Sequence, residues 1–338
     1  MLSNKKVLVG ISGGVDSSYV LSLLKREGNE VVGAYLIMKD SDLDCNEPKK
    51  TADEVGVPYI SIDCRDDFKR IVVGNFISEY SLGRTPNPCI ICNREIKLQY
   101  LYKYAVDNGF DKIATGHYCK VENGNIYVAD DITKDQSYML WSLTERQRDM
   151  LICPLGSKTK QEIRDESKKI GLSNHNKKDS LDICFVPNGD YASFLVSQGV
   201  DLPNARFVHR DGRDLGPAKS IISYTVGQRR GLGLSMDRSV YVTKLCPISN
   251  TVTVDYEEGI YSNRFKISAM NYHSGDFDID DIYVKIRYSA KPVKCSIQKI
   301  NETRADLTTQ DPCKAVTPGQ SAVFYDSKGK LLFGGFIE

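Results

Sequence analysis

Three stretches of the chain carry side chains whose types and spacing could do chemistry, and the first is a glycine turn. Gly10-Ile11-Ser12-Gly13-Gly14-Val15-Asp16-Ser17 follows the apolar run Val7-Leu8-Val9. Glycines in such a turn let the backbone approach a ligand and aim successive N–H groups at it. A helix starting at the Asp-Ser-Ser step adds positive potential. The ligand this suits is an anion, phosphate foremost, although an ordinary strand-to-helix turn with a serine cap would also place two glycines together. The run has no Gly-Lys-Ser/Thr of a Walker A loop and no third glycine of a dinucleotide fingerprint. Asp16, at the helix start, can cap the helix or hold Mg²⁺ beside a pyrophosphate.

The second stretch is TPNPCIICNREIKL, residues 85–98. Two X-Pro steps hold residues 85–88 extended. Asn93 can then cap a helix whose apolar face is Leu98, Leu101, Tyr102 and Ala105. Cys92 would precede that helix, where the dipole favours thiolate, with Cys89 near enough to share a ligand or redox partner. Half a zinc site, a redox pair and two inert thiols remain alternatives, although no second Cys-x-x-Cys or His pair accompanies the first. The third stretch holds Cys184 in Ile183-Cys184-Phe185-Val186, which by itself reads as a core cysteine. The other seven of the ten cysteines show no partner pattern and read as packing residues.

Smaller signals surround these. His117 follows Gly116 at a strand end, suited to nucleotide or substrate contact. Lys134, Asp135 and Gln136 sit at an expected helix start in KDQSYMLWSL. Arg229 and Arg230 lie among glycines, and the window from Lys285 to Lys299 holds five basic residues and no acidic one, with Tyr288 among them. That window suits a nucleic-acid backbone or a solvated barrel face.

These residues need a scaffold. Up to about residue 155, KVLVGIS, EVVGAYLI, VPYISID and DKIATGHY read as strands, with helices between them, notably 67–82 and 95–108. The alternation predicts an α/β domain with a parallel sheet covered on both faces, and the glycine turn falls beyond a strand's carboxyl end. Further helices are expected at KTKQEIRDESKKIG and GDYASFLVSQG. After about 203 the chain changes to short segments punctuated by Gly and Pro, and from about 264 to alternating strands that suggest a small antiparallel barrel. The expected domains are 1–203, 204–263 and 264–338. With 338 residues, 26% charged, and a net charge of +1, global charge neither demands nor excludes a nucleic-acid partner. No signal core and no long apolar stretch is present, so a soluble, cytoplasmic protein with reduced cysteines is expected.

SGGVDSS resembles the pyrophosphate loop (PP-loop) of ATP pyrophosphatases, which split ATP to AMP and pyrophosphate through an adenylated intermediate. Together, GISGGVDSS, GRTPNPCIICNREIKL, ATGHY, DQSYML, DSLDICFV and YTVGQRRGLGL, in this order, resemble the bacterial and organellar tRNA-specific 2-thiouridylases from about residue 5 to the C-terminus. The resemblance implies a catalytic domain of the adenine-nucleotide alpha-hydrolase-like type, a small central domain and a C-terminal β-barrel. It implies ATP with Mg²⁺ as cofactors. The implied partners are a tRNA with a wobble uridine and a cysteine desulfurase or sulfur-relay protein. By position, Gly10 to Ser17 would bind the phosphates, and Leu36 and Gly116 would contact the nucleotide. Cys184 would carry a persulfide and Cys92 would resolve it, leaving a disulfide. Asn87, Pro88 and Cys89 would meet the target base. His117, Lys134, Asp135, Gln136, Arg287, Tyr288 and Gln320 would contact the tRNA.

The chain departs from the family pattern in four places. The segment after Leu36 is short, Leu36 replaces a frequent Met, DLGPAKSIISYT lacks a His often found there, and Cys89 stands where many members have Asp. Three converging thiols could hold a [4Fe-4S] cluster at Cys89, Cys92 and Cys184. The alternatives are a paralogue acting on another RNA position, a non-thiolating adenylating ligase and a non-catalytic RNA-binding scaffold.

Overall fold

Val7, Leu8 and Val9 are fully buried because β1 (Lys6–Gly10) runs through the middle of a sheet covered on both faces. The computed structural model describes residues 4–177, 182–273 and 275–338. β1 pairs in parallel with β2 (Glu30–Ile37) on one side and β4 (Lys112–Ala114) on the other. β3 (Tyr59–Asp63) and β7 (Leu151–Ile152) extend the sheet to the order β3-β2-β1-β4-β7, all parallel. Val7 and Val9 pack with Val20, Leu24 and Ile163 on one face, while Leu8 packs with Leu98, Leu101 and Ala105 on the other. Burial on both faces explains the continuous apolar runs that marked these strands in the sequence. A short hairpin, β5 (Lys120–Glu122) and β6 (Asn125–Tyr127), leaves the sheet and touches the last strand of the barrel through Tyr127 and Lys330.

The sheet runs outward from β1 in both directions, so a crevice opens where the order reverses, at the carboxyl ends of β1 and β4. Ligands of open parallel sheets bind at such a switch point. The glycine turn leaves β1 there, and Thr115-Gly116-His117 leaves β4 beside it.

The second sheet is β10-β11-β8-β9, from β8 (Ala205–His209), β9 (Asp214–Ala218), β10 (Val240–Cys246) and β11 (Thr251–Tyr256). The third unit is a closed six-strand antiparallel barrel. It comprises β12 (Tyr261–Tyr272), β13 (Tyr283–Lys285), β14 (Val293–Lys299), β15 (Ala305–Lys314), β16 (Ser321–Tyr325) and β17 (Leu331–Ile337). Closure removes the edges that would otherwise template further pairing.

The barrel docks on the catalytic domain through Trp141, which is fully buried. Its indole N–H donates to Ser321 Oγ at 2.9 Å, and Tyr138 Oη donates to the Ser321 carbonyl at 2.8 Å. Gly334 is required at this interface, since a Cβ there would lie 2.5 Å from the indole ring.

Several local expectations are corrected. The helix expected in KDQSYMLWSL is a single 3₁₀ turn, Ser137–Leu140, because Asp135 turns its carboxylate back onto the N–H groups of Ala129 and Ser137. The strand read through IYVKIRY ends at Lys285, so the basic window does not form one face. Lys285 is buried against Asp135, and Arg287 is turned inward, while Lys291 and Lys294 are exposed.

Candidate active site

A cavity of about 220 Å³ lies at the switch point, lined by Gly10, Ile11, Ser12, Asp16, Ser17, Ala34, Tyr35, Leu36, Met38, Lys97, Leu101, Thr115, Gly116, His117 and Gln136. Of the expected nucleotide residues it gathers Gly10, Ile11, Ser12, Asp16, Ser17, Leu36 and Gly116. Gly13, Gly14 and Val15 shape the turn from behind. Gly13 has φ +71°, a conformation that favours glycine. Its carbonyl accepts from Asn174 Nδ2 at 3.2 Å, and Gly14 caps the helix Val15–Arg26 without a side-chain bond. The turn is pre-shaped by Ser17, whose hydroxyl accepts from Ser12 N–H at 3.1 Å and donates to the Gly14 carbonyl at 3.1 Å.

Asp16 is not a helix cap. Lys160 Nζ donates to both of its carboxylate oxygens, at 2.8 and 2.7 Å, and Tyr118 Oη donates to one at 2.7 Å. Lys160 and Tyr118 carry no signal in the sequence, since they lie more than a hundred residues away; the parallel sheet brings them to the helix start.

The opposite wall is the helix that begins at Pro88. Asn87, not Asn93, caps it, its side chain accepting from Cys89 N–H at 3.2 Å. Pro88 is buried at the first position, where a missing N–H is harmless. The helix continues through a π turn, Cys92–Lys97, into Leu98–Asp107. Asn93 is buried inside it, donating to the Met139 carbonyl at 3.1 Å. The start lies earlier than the sequence suggested because the Pro-Cys step can already be helical once Asn87 supplies the cap.

This overturns the thiolate expected at Cys92. The thiol lies beyond the first turn and is buried, and burial pushes it up to about 11, against a downward pull from Lys97. Cys89 is exposed in the first turn. Cys184 is also exposed, which overturns the reading as a core cysteine: Phe185, its neighbour, takes the core position. The Phe185 ring meets Phe68 and Phe76 edge-on at 5.7 and 5.2 Å and anchors the segment. Lys39 Nζ donates to the Cys184 carbonyl at 3.1 Å. The Cys184 thiol is raised by crowding from surrounding protein, opposed first by Lys97. Asp179, Ser180 and Leu181 of the same motif lie outside the described residues.

Cys89, Cys92 and Cys184 therefore face one another electrostatically, but all are free thiols, and no disulfide joins them. Among the described residues no three His, Cys, Asp or Glu side chains are arranged to hold a metal ion. The arrangement of these three cysteines therefore does not support the expected cluster, Cys92 being buried while Cys89 and Cys184 are exposed.

His117 lines the cavity, its Nδ1 bonded to Thr115 Oγ1 at 2.8 Å, and it is held down to about 3 by burial and by Lys97. It is a neutral imidazole in use. Gln136 is fixed by a paired exchange with the Tyr118 backbone, at 2.7 and 3.0 Å. Lys134 stands in the adjoining loop and does not line the cavity.

Three of the other expected RNA contacts have structural work. Asp135 is buried with Lys285 at 3.8 Å. Arg287 Nη2 donates to the Ala315 carbonyl and Thr317 Oγ1 within the barrel and to the Val226 carbonyl, which lies in the loop before β10, tying that loop to the barrel. Gln320 Nε2 donates to the Thr85 carbonyl at 2.7 Å, fixing the extended run that leads to Asn87. Tyr288 is the exposed one, on the rim of a second cavity of about 750 Å³ between the catalytic domain and the barrel.

Lys97 was missed by sequence reasoning. The only signal was its place five residues after Cys92, a spacing that puts two residues on different sides of an α-helix. The π turn, with hydrogen bonds reaching one residue further, brings them together.

Residues 5–188 match the family described as the tRNA methyl transferase HUP domain, 196–255 its PRC-barrel domain and 262–337 the aminomethyltransferase beta-barrel domain. The chain is 40% identical to the tRNA-specific 2-thiouridylase MnmA of Clostridium botulinum (strain Alaska E43 / Type E3) over 99% of its own length and 98% of that protein. It is 37% identical to the protein of that name from Clostridioides difficile (strain 630), over 100% and 99%. Among solved structures, a 4-thiouridine synthetase–RNA complex with bound ATP matches 57% of this chain and 50% of its own, at 17% identity and a TM-score of 0.38.

Proposed function

The chain belongs to the tRNA-specific 2-thiouridylase family, and from that premise we propose that it thiolates C2 of a tRNA wobble uridine at the expense of ATP. It is an ATP-dependent tRNA sulfurtransferase. The observation that carries the reading is the cavity at the sheet's switch point: the glycine turn lines one side, and Lys97 and Leu101, from the helix that also bears Cys89 and Cys92, line the other, with Lys97 close enough to act on the Cys92 and Cys184 thiols.

ATP lies with its phosphates against Gly10–Ser17; Mg²⁺ bound there would be held by Asp16, the one carboxylate among the described residues lining the cavity, and would offset the charge of the pyrophosphate. The uracil O2 attacks the α-phosphorus and pyrophosphate leaves. Cys184 carries a persulfide loaded by a cysteine desulfurase or relay protein. Its terminal sulfur attacks C2, and the C2–O bond breaks as AMP departs with both electrons. Cys92 sulfur then attacks Cys184 Sγ. The S–S bond breaks toward the base, leaving 2-thiouridine and a Cys92–Cys184 disulfide that an external thiol must reduce. Cys184 is the better carrier because it is exposed; Cys92, buried and protonated, is suited to wait for the final step. The target base must leave its stack to reach this cavity.

Asn87, Pro88 and Cys89 flank the base, and Tyr288 and Lys134 take the RNA further out. Domain limits near 203 and 263 and a cytoplasmic location complete the proposal. No helix among the described residues is long and apolar enough to cross a membrane.

The test is mass spectrometry of tRNA nucleosides from cells lacking the gene, with purified protein assayed for tRNA-dependent pyrophosphate release. Loss of 2-thiouridine with release in vitro is expected. Unchanged 2-thiouridine with loss of another thionucleoside overturns the substrate assignment.

A further inference from the structure

We infer that Lys97 is a catalytic cation of this enzyme, its ammonium set in the wall between the nucleotide cavity and the three thiols to hold the anion that forms on either side. The inference rests on the adenylation and sulfur-transfer reading given above.

Position is the first argument. Lys97 ends the π turn that begins at Cys92, and such turns within helices frequently mark functional sites. Among the described residues lining the nucleotide cavity it is the only lysine or arginine, beside Ser12, Gly116, His117 and Gln136.

Charge is the second argument. Among the described residues no carboxylate pairs with Lys97. The groups that face it are Cys92, Cys89 and Cys184, and its positive charge also bears on His117, which stays neutral. Of the other cations near the phosphate turn, Lys160 is committed to Asp16, and Lys177 donates to the Gly13 carbonyl and pairs with Glu47. An ammonium drawn partly out of water without a counter-ion is unfavourable unless its working partner supplies the charge. Two such partners arise in turn. While the uracil O2–phosphorus bond forms and the bond to pyrophosphate breaks, negative charge builds on the α-phosphoryl oxygens. When the sulfur reaches C2 and AMP leaves, charge sits on the departing phosphate and then on sulfur. One fixed cation between the two places needs no reorganisation between steps.

Lys97→Gln and Lys97→Arg test this, with wild type alongside. Three quantities are read: tRNA-dependent pyrophosphate release, tRNA affinity, and the pH profile of Cys184 alkylation by iodoacetamide. The groups that set this profile are Lys97, Cys89, Lys39 and Asp42. Lys97→Gln is expected to slow pyrophosphate release about a hundredfold, the usual loss for one preorganised charge, while tRNA affinity stays within about twofold. The alkylation profile should move to higher pH in Lys97→Gln. Lys97→Arg, which keeps the charge, should recover at least about a tenth of the rate and the original profile. Wild-type release with no effect of Lys97→Gln overturns the inference and leaves the reaction standing. Equal loss in both variants with an unmoved profile also overturns it, as a packing role would. No release by wild type with any tRNA overturns the reaction itself.

Discussion

Replacing Gly116 by alanine places one methyl group where the strand end meets the start of the first helix. The new Cβ would lie 3.0 Å from Ser17 N, 3.1 Å from Asp16 Cβ and 3.2 Å from Asp16 C. Gly116 is not in the left-handed region, so the cost is steric alone. All three neighbours belong to the helix start, and Asp16 is held there by Lys160 and Tyr118, so the residues cannot swing aside independently. The helix start must yield by a few tenths of an ångström. Overpacking of this kind costs about 1–3 kcal/mol of stability. A displacement of a full ångström at a reacting centre costs about a hundredfold, so a few tenths at the phosphate turn should cost about tenfold. The assay is pyrophosphate release against ATP concentration with saturating tRNA, together with a urea melt. Gly74→Ala is the control: Gly74 has φ −60° in a helix interior and its nearest neighbour would be 3.8 Å away, so alanine should stabilise by about 0.5 kcal/mol. Release kinetics in Gly116→Ala equal to wild type would refute the placement of the phosphates on this turn.

Other consequences are equally open to measurement. Cys92→Ser and Cys184→Ser should abolish thiolation while pyrophosphate release continues, and Cys89→Ser in an iron-free preparation given a persulfide donor should stay within about threefold of wild type; loss with Cys89→Ser would restore a three-thiol mechanism. His117 and His273 are both held to about 3, chiefly by burial, against an ordinary 6.5. The unfolded chain takes up protons that the fold refuses, so stability is full above about pH 6.5 and is lost as pH falls from there toward 3. A urea midpoint that does not fall between about pH 7 and about pH 4.5 would contradict this. Arg287→Ala removes three charged hydrogen bonds, one to the Val226 carbonyl of the second unit and two within the barrel, and should lower stability by about 3 kcal/mol in a thermal or urea melt, with a smaller effect on ATP affinity.

The amino-acid sequence alone determined the parallel sheet and the barrel, because those follow from local facts. Val7-Leu8-Val9 is apolar throughout since both of its faces are covered, and Ser12-Gly13-Gly14 turns tightly, with Gly13 at φ +71°. Alternation after residue 264 follows from strands that bury one face inside a barrel. Tertiary structure decided what each charged or sulfur-bearing side chain faces. Asp16 reads as a cap until Lys160 and Tyr118 arrive from distant strands and helices. Arg287 and Gln320 look like exposed contacts until the barrel docks and their hydrogen bonds turn inward. Cys92 and Lys97 sit five apart, a spacing with no meaning in an α-helix, and only the π turn makes them neighbours. Burial then moves the Cys92 thiol in the opposite direction from the one its place in the sequence suggested. Patterns of apolar residues are set by which face is covered, a property each segment carries by itself. The partner of a polar group is set by which segments meet, and that exists only once the chain has folded.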